Sequence, residues 1–183
     1  MDSGAGSYRR FLAGDNEGLR EIVCAYRAGL ILYLNSFVQN IHTAEELAED
    51  TFFELMKKRP DFSGKSTFRT WLYAIGYHVT AKYLRKHAKL RIVPLESQEH
   101  LADAQSLERS CIRSEQKRMV HQALHRLKPE YRQVLYLSYF EGFRNAELAL
   151  VMHKSDRQIR DLLYHARKAL KNELERSGFE YEE

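Results

Sequence analysis

Between Phe62 and Leu95 the chain carries no acidic residue, while Lys65, Arg69, Lys82, Arg85, Lys86, Lys89 and Arg91 supply positive charge. Trp71, Tyr73, Tyr77 and Tyr83 are interleaved with these cations and with His78. Cations hold phosphates and flat rings stack on unpaired bases, so this mixture suits single-stranded or melting DNA better than an intact duplex. Phe68, Trp71, Leu72 and Ile75 also have the spacing of a packed helix face, which leaves the basic and exposed aromatic positions as the better contact candidates. A second set, Glu46, Glu49, Asp50, Phe53 and Lys57, recurs at helical spacing as an acidic face with an aromatic at its centre. It reads either as a solvated face or as a docking surface for a partner protein. In a third set, Arg157, Arg160, Asp161, Tyr164 and Lys168 lie opposite an apolar stripe of Ile159, Leu162, Leu163, Ala166 and Leu170. All three sets are suited to binding. His121 and His125 share a helix face at i, i+4 and could seat zinc, but no Glu-x-x-His partner, nucleophile elbow or phosphate loop accompanies them. No catalytic residue, metal or cofactor is therefore expected.

Helices must position these sets. Pro60, Pro94 and Pro129 fall where the helical patterns break, no alternating strand pattern occurs, and the expected fold class is all-α. Thr43 and Glu46 form a capping box that predicts a helix from Ala44 to about Lys58, with Ala44, Leu47, Ala48, Thr51, Phe52, Leu55 and Met56 facing inward. A polar loop with Gly64 at its turn then leads into a helix over Phe68–His87. Later, Pro129 starts a helix that Gly142 ends. Asn145 is expected to cap a short helix over 146–152. After the turn His153-Lys154, Ser155 and Gln158 make a second capping box for a last helix reaching about Glu175. Two helices joined by so short a turn predict a helix-turn-helix, in which the early outward residues Arg157, Gln158, Arg160 and Asp161 would meet base edges.

The stretch 93–114 is polar, poor in large apolar residues and carries Pro94; it reads as a flexible linker between domains at 1–92 and 115–177, with a tail at 178–183. At 183 residues and 44% hydrophobic, the chain can bury two small cores. No apolar stretch near twenty residues stands out, so no membrane span is expected. Met1–Ser7 lacks the basic and apolar parts of a signal peptide, so a cytoplasmic location is expected. Cys24 and Cys111 are distant, sit in helical patterns and form no Cys-x-x-Cys pair, so both are expected to be buried thiols.

Ala44-Glu45-Glu46-Leu47-Ala48-Glu49-Asp50-Thr51-Phe52 resembles the helix with which bacterial RNA polymerase sigma factors of the extracytoplasmic-function group grip the polymerase clamp. Phe68-Arg69-Thr70-Trp71-Leu72-Tyr73-Ala74-Ile75 and Tyr83-Leu84-Arg85-Lys86 resemble that group's promoter-melting segment. Leu127-Lys128-Pro129-Glu130-Tyr131-Arg132-Gln133-Val134-Leu135, Tyr139-Phe140-Glu141-Gly142-Phe143 and His165-Ala166-Arg167-Lys168-Ala169-Leu170 resemble its upstream-element domain. The resemblance implies that Glu45, Glu46, Glu49, Asp50 and Phe53 bind core polymerase. It implies that Asp61, Phe62, Ser63, Lys65 and Ser66 capture a flipped minus-ten base, and that Tyr77, His78, Lys82, Arg85 and Lys86 hold the surrounding DNA. Arg157, Gln158, Arg160, Asp161, Tyr164, Arg167 and Lys168 would meet the minus-thirty-five duplex. The group is commonly silenced by an anti-sigma protein, so such a partner is implied as well. Asp161 and Leu162 depart from the small or basic residues usual in the family. A carboxylate at 161 repels phosphate yet can accept a hydrogen bond from a cytosine amino group. The rival reading is a two-domain regulator that binds duplex DNA without polymerase; the acidic helix argues against it.

Overall fold

The computed structural model describes residues 3–88 and 109–179, and every regular element in it is helical. In chain order these are α1 (Ser3–Leu12), α2 (Asn16–Val38), α3 (Ile41–Lys58), α4 (Phe68–Ala88), α5 (Arg109–Arg126), α6 (Pro129–Leu135), a π-helical turn (Tyr136–Phe140), α7 (Asn145–Met152) and α8 (Asp156–Arg176). The expected linker at 93–114 lies mostly outside the described residues, and its end, 109–114, belongs to α5. Tail residues 180–183 also lie outside them.

Helices α1 to α4 pack around α2. Its Ile22, Leu30, Leu34 and Phe37 meet Tyr8 and Phe11 of α1, Leu47, Ala48 and Leu55 of α3, and Phe68 and Leu72 of α4 in one buried cluster. Crossing of α1 and α2 is close because Gly18 has no side chain: a Cβ there would lie 2.2 Å from the Ser7 carbonyl oxygen. By length and composition α2 is apolar enough to cross a membrane, contrary to the expectation that no such stretch occurs, yet its apolar side is spent on the core of the first half. The second half buries Val134, Leu135, Leu137, Phe143, Leu148, Val151, Met152, Ile159 and Ala166 between α6, α7 and α8.

Local signals place most of the boundaries, with four corrections. Helix α3 starts three residues before the expected Ala44 because Asn40, not Thr43, caps it, its side chain accepting from the Thr43 N–H at 3.0 Å. Met56, expected inward, is 44% exposed one position past the buried Leu55. Asn145 is the first residue of α7 rather than its cap; Arg144 takes the cap position, and Glu147 reaches back to accept from the Arg144 N–H at 3.0 Å. Cys24 is exposed, on the solvent side of α2, and the side chain of Cys111 lies outside the described residues. The Ser155 box is present as read: Gln158 accepts from the Ser155 N–H (2.8 Å) and Ser155 from the Gln158 N–H (3.2 Å).

Candidate nucleic-acid interface

The acidic side of α3 is open. Glu46, Glu49 and Asp50 are exposed, Glu45 is half-buried at the margin, and Phe53 is 50% exposed with the Lys57 ammonium 5.5 Å above its ring. Among the described residues Glu49 has only a long ion pair, 3.9 Å, with Arg27. A half-exposed aromatic centred among carboxylates gives this face an apolar anchor with a charged rim, a composition suited to docking a partner protein.

The loop between α3 and α4 is anchored at its base and open at its rim. Tyr8 donates to the Pro60 carbonyl (2.7 Å), and Arg59, left-handed at φ 43°, caps α3 with its guanidinium over Phe11. Phe62 is half-buried against Phe68 and Trp71, with ring centroids 5.7 and 5.1 Å away, so it holds the loop down rather than pointing out. Asp61, Ser63 and Lys65 are exposed around Gly64, whose φ of 72° makes the turn; Ser66 is half-buried. This is a short polar rim on an aromatic floor.

Helix α4 is divided along its length. Thr67 caps it, accepting from the Thr70 N–H at 3.1 Å. Phe68, Leu72 and Tyr73 are buried, and burial raises the Tyr73 hydroxyl to about 12. Its C-terminal part is open: Lys82, Arg85 and Lys86 are exposed and enter no ion pair among the described residues. Uncompensated cations in this number favour a polyanion. Tyr77 is half-buried between Phe37 of α2 and His153, and the exposed His78 has its ring 4.4 Å from that of His153. Burial, then His153 and Arg85, hold the His78 imidazole below its ordinary value. Arg69, one of the cations of the acid-free segment, is paired with Glu141.

Helix α8 keeps the pattern expected of it. Ile159 and Ala166 are fully buried and Leu163 nearly so, while Arg157, Gln158, Arg160, Asp161, Tyr164, Arg167 and Lys168 are all exposed, Tyr164 at 59%. The turn before it is tight because His153 is left-handed at φ 52° and caps α7, its N–H bonded to the Ala149 carbonyl. A capped helix offering several exposed cations and amides on one side, after a three-residue turn, has the docking geometry of a major-groove reader. Two exposed aromatics, Tyr139 and Phe140, escape the sequence reading because the π-helical turn that lifts them out breaks the 3.6-residue period.

Family models add the deciding observation: "Sigma-70 region 2" matches residues 22–90 and "Sigma-70, region 4" matches residues 117–170, which together take in α3, α4 and the helix-turn-helix. The chain belongs to the extracytoplasmic-function group of sigma factors. It directs promoter-specific transcription initiation by RNA polymerase. Among its relatives are the sigma factor YlaC of Bacillus subtilis, 26% identical over 88% of this chain and 94% of the relative, and the sigma-H factor of Pseudomonas aeruginosa, 28% identical over 91% of each. Two solved structures share the fold. CnrH in complex with the cytosolic domain of CnrY has a TM-score of 0.69 at 21% identity, covering 95% of this chain and 98% of that one. The sigma factor RpoE in complex with the anti-sigma factor NepR, from Bartonella quintana, has 0.68 at 19% identity, covering 85% and 96%. In this sigma factor, α3 and α4 thus belong to region 2, and α6 to α8 to region 4.

Proposed function

We propose that this sigma factor docks on core polymerase through Glu45, Glu46, Glu49, Asp50 and Phe53, and reads its promoter with two separate surfaces. The first domain, 1–92, takes the minus-ten element: the rim of Asp61, Ser63, Lys65 and Ser66 receives an unstacked base over the floor that Phe62 helps to form. Tyr77, His78, Lys82, Arg85 and Lys86 hold the strand around it. Flipping a base costs on the order of a few kcal/mol, which a pocket together with phosphate contacts can offset. The second domain, 115–177, reads the minus-thirty-five duplex, with Arg157, Gln158, Arg160 and Asp161 at base edges and Tyr164, Arg167 and Lys168 nearer the backbone.

The observation that carries this reading is the open acidic face of α3 around a half-exposed Phe53. A regulator acting on duplex DNA alone has no use for such a face, because carboxylates repel phosphate. We also propose that the protein performs no chemistry of its own, acts in the cytoplasm where the polymerase works, and is held silent by an anti-sigma protein. Support for that partner comes from the similar fold of RpoE, which is complexed with the anti-sigma factor NepR. The test is binding of the purified chain to bacterial core polymerase. Wild-type protein is expected to form a stable complex that Glu49→Lys with Phe53→Ala lowers at least tenfold; equal binding by both would refute the assignment of α3.

A further inference from the structure

We infer that α1 is a brace that sets the 61–66 loop for capture of the minus-ten base, with Tyr8 as its positioning residue. The inference rests on reading that loop as the base pocket. The match to region 2 begins at residue 22, so Ser3–Leu12 stands outside it. Yet α1 reaches both ends of the loop. At the near end the Tyr8 hydroxyl donates to the Pro60 carbonyl at 2.7 Å, and the Arg59 guanidinium lies 5.1 Å over the Phe11 ring. At the far end the Tyr8 ring is 5.4 Å from Phe68 and 5.3 Å from Trp71, the two rings on which Phe62 also rests. Gly4 closes on the start of α4: a Cβ there would come within 2.5 Å of the Phe68 ring. Tyr8 is buried, and its hydroxyl sits among the loop's own first residues. Burial, then the Asp61 carboxylate, raises that hydroxyl to about 12 against the opposing effect of Arg59, so it stays a donor at neutral pH.

The loop needs such a brace because it has little structure of its own. Among the described residues, the backbone of 61–66 enters no backbone–backbone hydrogen bond. Its course therefore depends on side-chain anchors: the Tyr8 bond to Pro60 at one end, and Phe62 on the Phe68 and Trp71 rings. The brace is itself firmly held. Ser7 donates to the Glu21 carboxylate at 2.6 Å, Arg10 pairs with Glu21 and with Asp15, and Gly18 lets α1 lie directly on α2. A rim fixed before the base arrives loses less freedom on binding and can reject a base of the wrong shape, which a loose loop would accommodate.

The experiment uses the full chain bound to core polymerase, with promoter oligonucleotides whose minus-ten element is single-stranded and carries each of the four bases in turn at each position. Tyr8→Phe keeps the ring and removes only the hydroxyl. It should reduce discrimination among minus-ten bases about threefold, the size expected of one neutral hydrogen bond, while core binding and preference among minus-thirty-five bases stay as in wild type. Wild-type discrimination, or a uniform loss over all bases, overturns the inference. Asp61→Ala with Ser63→Ala tests the loop assignment separately: if this pair leaves minus-ten discrimination untouched, that assignment is at fault. Trp71, the one tryptophan of the chain, then still decides whether α1 seats the loop. Acrylamide should quench its fluorescence about twofold more strongly in Tyr8→Phe than in wild type, because a locally opened loop uncovers the indole, and Phe62→Ala gives the value for an unseated loop. Equal quenching in Tyr8→Phe and wild type overturns the positioning role whatever the DNA shows.

Discussion

Helices α4 and α8 are both 21 residues long, both end in basic residues, and both belong to surfaces assigned to DNA, yet they spend their polar faces differently. Helix α8 buries one stripe and leaves the opposite side open to solvent. Helix α4 is packed on two sides, with Phe68 and Leu72 against the first core and Arg69, Thr70 and Tyr77 against the second half. A helix with one partner shows a clean period in its sequence; a helix wedged between two shows none, and its charges find protein partners before they find DNA.

The largest expected effect separates a cation used inside the molecule from one kept outside it. Arg132 is buried, its guanidinium donates to the carbonyls of Ser36, His125 and Leu127, and burial lowers its pKa. Arg132→Met should lower unfolding stability by about 3 kcal/mol, because three carbonyls lose a charged donor. Arg160→Met on the open side of α8 should change it by less than about 0.5 kcal/mol. Urea denaturation checks both; equal effects would erase the distinction.

Next comes the open end of α4. Replacing Lys82, Arg85 and Lys86 together by Ala should weaken promoter binding by the polymerase complex about thirtyfold, roughly 2 kcal/mol, and flatten the salt dependence by about three phosphate contacts. A salt titration of filter or fluorescence binding reads this, and an unchanged slope would remove these residues from the interface.

A smaller effect is expected at Asp161. Asp161→Ala should shift preference among upstream base variants by about 1–2 kcal/mol while leaving mean affinity near that of wild type, since a carboxylate near DNA contributes discrimination rather than attraction. Uniform loss over all variants would count against base reading there.

The smallest effect concerns acid. Burial, with His153 and Arg85 nearby, holds His78 below its usual range; burial, with Arg132 and His121, does the same for His125. Both shifts disfavour the protonated imidazole in the folded chain, so the unfolded chain binds these protons more readily. Lowering pH from about 7.5 to about 5.5 through the ordinary imidazole range should therefore lower unfolding stability slightly. Urea denaturation at the two pH values reads this; a gain in stability at the lower pH would contradict the assignment.

How much of this was legible in the sequence follows the same division. Helix α8, its cap Ser155 and its exposed residues could be read because each depends on neighbours within four positions. So could the outward face of α3, although Asn40 lies just outside the Thr43 box and took the cap instead. Phe62, Arg69, Tyr77 and His78 were harder. Their types suit DNA contact, and residues beyond the reach of one helical turn (Phe68 and Trp71 for Phe62, Glu141 for Arg69, Phe37 and His153 for Tyr77, His153 for His78) decide where they point. Nothing within α4 signals Glu141 or Glu147, some seventy residues away.

The central claim, a polymerase-dependent reader of two promoter elements, is tested most directly by transcription in vitro with bacterial core polymerase and fragments of the source genome, mapping start sites by sequencing. Discrete starts preceded by two shared elements are expected, as is their loss with Glu49→Lys plus Phe53→Ala. No transcription and no core binding, with tight duplex binding by the free chain, would contradict it.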